Sequence, residues 1–160
     1  MASANEEEIA ILEHESPKTM YLVDSDNAGE KIRNKLIRAG IPEEHIFKLP
    51  DDIEQELVIE DYINSEIYLN AINEELKRSH GEHFSIKSEE LPIINKPRKV
   101  TEWCESKGID SPNKRAVAYH ILDYKSDNPD KSIIEEKYKQ SLQQLYFDIG
   151  KALNEAKIKS

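Results

Sequence analysis

Three things are scarce in this chain: cysteine, uninterrupted apolar sequence and positive charge. The single cysteine, Cys104, excludes an internal disulfide and leaves no Cys-x-x-Cys pair for zinc, so a reduced, partly buried thiol is expected. No segment approaches the roughly 18 consecutive apolar residues of a membrane span. Residues 1 to 16 are acidic where a secretory leader would be basic and then apolar. A cytoplasmic protein with no membrane partner is the expectation. Lysine and arginine number 22 against 32 aspartates and glutamates, a net charge of −10, which argues against gripping nucleic acid by bulk electrostatics alone. No Gly-x-x-x-x-Gly-Lys-Ser/Thr loop occurs either, so no nucleotide site is expected in this chain.

What is present suits one ordinary core. The chain has 160 residues, 38% of them hydrophobic and 34% charged, in the size range of a single domain. The charge is unevenly spread. Residues 51 to 66 carry seven acids and no lysine or arginine, whereas residues 96 to 115 carry six basic and three acidic side chains. An acidic face that holds metal beside a basic segment would suit a phosphodiester substrate; a mosaic of solvated charges accounts for the same runs.

Periodicity and turn residues predict the elements. A strand over Thr19 to Val23 leads through Asp24-Ser25-Asp26 to a helix over Ala28 to Ala39, ended by Gly40, and Pro50 stops a second strand over His45 to Leu49. This is a β-α-β unit. A helix is expected from Asp61 to Ser79 with Gly81 as its cap, and shorter helices over Val100 to Lys107 and Lys114 to Tyr124. After Pro129-Asp130, the residues Ile134, Tyr138, Leu142, Leu145, Ile149, Leu153 and Ala156 recur at spacings of three and four, predicting a long amphipathic helix that covers its own domain or takes a partner helix. A short helix over Glu6 to His14 is expected in the N-terminal segment.

The most informative stretch is Met20 to Glu30, an apolar run that ends in two carboxylates one residue apart, followed by a glycine and a helix. Tyr21-Leu22-Val23 reads as a buried parallel strand, and open α/β sheets place their chemistry beyond the carboxyl ends of such strands. Residues two apart on extended chain point the same way. Asp24 and Asp26 can therefore face one Mg²⁺ or Mn²⁺, with water and substrate phosphate completing its shell. Gly29 is expected to allow a tight turn.

Three chemistries compete for these aspartates. In an EF-hand loop, Ala28 and Lys35 would stand where oxygen ligands are needed. In a haloacid-dehalogenase-type phosphatase, Ala28 would replace threonine or valine, and the chain leaves no room for a cap insertion. The third fits better: Asp24-Ser25-Asp26-Asn27-Ala28-Gly29-Glu30 resembles the Asp-x-Asp-x-x-Gly-Glu core of the Toprim domain. The chain is most similar to the C-terminal Toprim domain of OLD-family, Gabija-like ATP-dependent endonucleases, through Gly40-Ile41-Pro42 before Ile46-Phe47-Lys48-Leu49, Ile59-Glu60-Asp61-Tyr62 and Lys114-Arg115-Ala116-Val117-Ala118.

That resemblance implies an α/β fold with a Rossmann-type parallel sheet flanked by helices. The resemblance covers a Toprim-like domain over 18–125; composition adds a flexible acidic segment over 1–17, and periodicity a helical extension over 126–160. The resemblance further implies a two-metal, Mg²⁺- or Mn²⁺-dependent DNA endonuclease of the kind used in anti-phage defence. Asp24 and Asp26 would hold one ion, Glu60 and Asp61 a second, and Lys114 would meet charge developing on the scissile phosphate. Glu60 and Asp61 also suit a plain helix start, and Lys114 an ordinary surface position.

The family's glutamate on an earlier strand has no counterpart, because only 23 residues precede Asp24 and a β-α-β unit needs roughly 30. An ATPase partner, or a preceding part of a longer enzyme, is the expectation. The alternative is a non-catalytic remnant serving assembly, including homo-oligomers. His80 and His83 could share a metal, but Gly81 breaks the helix that would align them. Trp103, Tyr119 and Tyr124 could stack on bases, or supply packing area.

Overall fold

The computed structural model describes residues 19–50, 57–92 and 94–158. The N-terminal segment, its expected helix over Glu6 to His14 and the acidic residues 51 to 56 lie outside the described residues. In chain order the elements are β1 (Tyr21–Val23), α1 (Asn27–Arg38), a 3-10 turn (Glu43–His45), β2 (Ile46–Lys48), a 3-10 turn (Ile59–Tyr62) and α2 (Ser65–His80). There follow a 3-10 turn (Ser88–Glu90), α3 (Lys96–Lys107), α4 (Lys114–Asp127), a 3-10 turn (Glu136–Tyr138) and α5 (Lys139–Ile158). The chain is α/β and mostly helical. Among the described residues its sheet has two parallel strands, and no helix is long and apolar enough to cross a membrane.

Compactness divides the chain into two units, Met1–Leu57 with Lys139–Ser160, and Val58–Tyr138. The boundary expected at residue 125 instead falls inside α4, which continues to Asp127.

In the first unit, β1 and β2 pair in register Tyr21 with Ile46, Leu22 with Phe47 and Val23 with Lys48. Leu49 N donates to Val23 O at 2.9 Å and carries the pairing one step further. The expected strand-helix-strand unit is thus present, with each strand shorter than its apolar run. Its small core joins Val23, Leu36 and Ile41, with Tyr21, Ala39 and Ile46 packed on it. Helix α1 ends where expected: Gly40 takes φ +92°, Gly40 N donates to Ile37 O and Ile41 N to Leu36 O. These two bonds form a Schellman closure, which also brings Ile41 against Leu36. One expectation is corrected here. β1 is not buried on both faces, since Leu22 is 49% exposed.

In the second unit, α2 packs on α4 over a core that includes Tyr68, Ile72, Leu76, Val100, Cys104 and Ile121. Cys104 is fully buried rather than partly so, and burial pushes its thiol pKa up. Asparagines start two helices: Asn64 Oδ1 accepts from Glu66 N and Ile67 N, and Asn113 Oδ1 from Arg115 N and Ala116 N. Such side-chain acceptors satisfy N–H groups that the first helical turn leaves unpaired. Asn64 thereby moves the start of α2 from the expected Asp61 to Ser65, while Gly81, at φ +105°, caps it as expected.

The long C-terminal helix is also shorter than its apolar stripe. It begins at Lys139, because the chain before it pairs with the start of α2. Asn64 N donates to Ile133 O and Glu135 N to Tyr62 O, both at 2.8 Å, around a bridge between Ile63 and Ile134. Ser65 N and Oγ both donate to Glu135 Oε1. Ile134 and Tyr138 therefore serve the second unit, with the Tyr138 ring 4.8 Å from that of Tyr62 and tilted against it by 54°, and α5 serves the first.

Candidate functional site

The aspartate turn is built by its neighbours. Ser25, between the two aspartates, points inward: its Oγ donates to Leu57 O at 2.9 Å and accepts from Leu57 N at 3.1 Å. Asp24 and Asp26 flank it, both half-buried. Asp26 is the N-cap of α1, its Oδ1 accepting from Gly29 N at 2.7 Å, which leaves Oδ2 for another partner. Gly29 is needed for a different reason from the tight turn expected of it. It stands in the first turn of α1, where a Cβ would lie 2.0 Å from the main-chain oxygen of Asp24. The glycine lets the helix start directly against the strand end.

The turn thus supplies two carboxylates, one held in place by a helix cap. Two protein carboxylates with water and phosphate are a common set for Mg²⁺, and by residue type Asp24 and Asp26 are the candidates here. Among the described residues no group of three or more His, Cys, Asp or Glu side chains is arranged to hold a metal.

The other expected site residues belong to the second unit. Glu60 and Lys114 come together across 54 residues of sequence, with Lys114 Nζ donating to Glu60 Oε1 at 3.2 Å. Lys114 opens α4 as expected and is 81% exposed, while Glu60 is 21% exposed. Beside this pair lies a cavity of about 280 Å³ whose walls include Ile63, Ile72, Val100 and Val117.

Asp61 is a correction. Expected to help hold a second ion, it is fully buried, and its two oxygens are taken by Val58 N and Lys96 N at 3.3 and 3.1 Å. Lys96 is equally buried and closes the clasp, its ammonium donating to Ile63 O at 2.5 Å and Asp61 O at 3.3 Å. Burial lowers the Lys96 pKa, with Glu135 and Asp61 acting in the opposite direction.

The basic segment 96–115 is largely engaged internally. Besides Lys96 and Lys114, Arg98 and Lys99 both meet Glu102, at 2.9 and 2.6 Å, and Lys107 lies over the Trp103 ring. Of its six cations only Arg115 has no partner among the described residues. The other candidates hold structural places. His80 Nε2 lies 3.0 Å from Asp110 O, His83 packs on Phe84, and Trp103 Nε1 donates to Glu90 at 3.3 Å.

Sequence reasoning missed a buried carboxylate, Glu75, gripped by Arg78 through two bonds of 2.7 Å and approached by His120 at 3.7 Å. The spacing of Glu75, Arg78 and Ser79 on one helix face was the available signal. No family model, no curated protein and no solved structure matches the chain.

Proposed function

We propose that this chain is a Toprim-like, divalent-metal-dependent DNA endonuclease domain in which Asp24 and Asp26 hold the ion. The observation that carries the reading is the aspartate turn itself. Two half-buried carboxylates flank the anchored Ser25 at the carboxyl end of a parallel strand, and Gly29 admits the helix start against Asp24. A divalent ion there supplies Lewis-acid polarisation of a phosphate and a bound water of lowered pKa. The chain's own part is to hold Asp26 in one orientation through the Gly29 N–H and to present the positive end of α1 to an anion. Glu60 and Lys114 enter through the resemblance, as acid and charge-neutralising lysine. A preceding ATPase region or a separate ATPase subunit completes the enzyme, and anti-phage defence is its setting.

The test is nicking of supercoiled plasmid by purified chain with Mn²⁺ or Mg²⁺, alone and with a candidate ATPase subunit. Nicking that disappears in Asp24→Ala is the expected result. Undiminished nicking by that variant removes the reading.

A second reading, a non-catalytic module for assembly, is favoured by α5, which leaves Tyr146 and Phe147 78% and 74% exposed. Light scattering across a concentration series tests it. A monomer at every concentration eliminates self-assembly.

A further inference from the structure

The cavity of the second unit has features that its role in the fold does not require. Its volume, about 280 Å³, lies just under the roughly 300–1,000 Å³ of pockets for drug-sized ligands. It is large enough for a small metabolite. Its walls are mostly aliphatic, with Tyr68, Thr101 and Ser111 as their uncharged polar members. Tyr68 is 4% exposed, and its hydroxyl has no hydrogen-bond partner among the described residues. Burial, with the charges of Glu60 and Asp61, raises the Tyr68 pKa far above the usual phenol value. The group therefore stays a neutral hydroxyl able both to donate and to accept. Glu60 and Lys114 also line the cavity, so an anion and a cation stand 3.2 Å apart beside it.

We propose that this cavity binds a free apolar α-amino acid, with its side chain among Ile63, Ile72, Val100 and Val117, its ammonium on Glu60 and the Tyr68 hydroxyl, and its carboxylate on Lys114.

Charge balance selects the class. A plain amine would take Glu60 and strand Lys114, and a plain carboxylate would do the reverse. A zwitterion gives each member of the pair a new partner. Opening the pair is inexpensive because Lys114 is mostly in water, where such pairs are weak. A nucleobase fits poorly, since the walls are mostly aliphatic and the Thr101 and Ser111 hydroxyls already bond Pro97 O and each other, which would leave its polar edge short of partners. The cavity shares Glu60 and Lys114 with the nuclease reading but makes no use of Asp24 and Asp26, which belong to the first unit.

The experiment is titration of the full chain with L-leucine, L-isoleucine, L-methionine and L-phenylalanine, followed by calorimetry and amide chemical shifts. Glycine, 3-methylbutylamine and 4-methylpentanoate serve as comparators. Saturable binding of at least one of the four is expected, with shifts in α2, α3 and α4. The comparators should bind about tenfold more weakly or worse, as should the bound amino acid to Glu60→Gln and Lys114→Met. Tyr68→Phe should lose less, and Asp24→Ala should bind as the wild type does. No saturable binding of any of the four overturns the proposal, as does glycine or 3-methylbutylamine binding equally well. Because the readout is binding rather than cleavage, its failure is distinct from failure of the nuclease reading.

Discussion

Asp61 and Lys96 hold each other twice, through the Lys96 main-chain N–H on Asp61 Oδ1 at 3.1 Å and the Lys96 ammonium on Asp61 O at 3.3 Å. The clasp joins the 3-10 turn of Ile59–Tyr62 to the start of α3 inside one unit. Removing one partner of a buried charged network leaves the other uncompensated. Asp61→Ala should therefore lower stability by about 3 kcal/mol in urea unfolding. A loss below about 0.5 kcal/mol, the level of an ordinary surface change, would show that the clasp is not a structural element.

Asp26 has two tasks that one substitution can separate. Serine also caps helices well, so Asp26→Ser should keep α1 and its stability while lowering Mn²⁺ affinity at the turn. Asp26→Ala should lower affinity and also cost about 1 kcal/mol of stability. Calorimetric Mn²⁺ titration beside urea unfolding separates the two effects. Wild-type affinity in both variants would remove Asp26 from the ligand set.

Gly29 has no space for a methyl group, and the obstructing atom is main chain. Gly29→Ala should destabilise the first unit by about 3 kcal/mol, the upper part of the usual range for overpacking. Circular dichroism and urea unfolding provide the measurement. A neutral outcome would mean that α1 can move away from Asp24 at little cost.

Glu75 predicts a pH dependence of known sign. Its pKa is lowered, chiefly by the Arg78 hydrogen bonds, so the unfolded chain binds this proton more readily than the folded one. The stabilisation is complete above the unfolded glutamate value of about 4.3 and fades as pH falls through the lower folded value. Urea midpoints of wild type should fall more steeply below about pH 4.3 than those of Glu75→Gln. Parallel curves would refute the assignment.

The Glu60 and Lys114 pair should contribute little to stability despite its position. With Lys114 81% exposed, Lys114→Ala should change the unfolding free energy by less than about 1 kcal/mol. A larger loss would assign the pair to holding α4 in place.

Locally encoded features were readable from sequence. Gly40 and Gly81 mark helix ends through their own backbone chemistry, and α1 and α4 begin within a residue of where the spacing put them; the cap that Asp26 supplies to α1 was not read from the sequence. The rest depended on partners distant in the chain. Spacing at three and four runs from Ile134 to Ala156 without interruption, but periodicity records direction and not continuity. The pairing of residues 133 to 135 with 62 to 64 holds the first part extended. Asp61 and Glu60 are adjacent acids in sequence, and only Lys96, 35 residues on, determines that one is enclosed and the other faces a cavity. A lysine is rarely fully buried, so nothing local marked Lys96 for that role.

Leu49 and Leu57 are both fastened to the carboxyl end of β1, the first by Val23 O and the second by Ser25 Oγ. The strand end that carries Asp24 and Asp26 is thereby braced at two separate points, one through main chain and one through a serine side chain. Loss of either attachment alone leaves the other holding the aspartate turn.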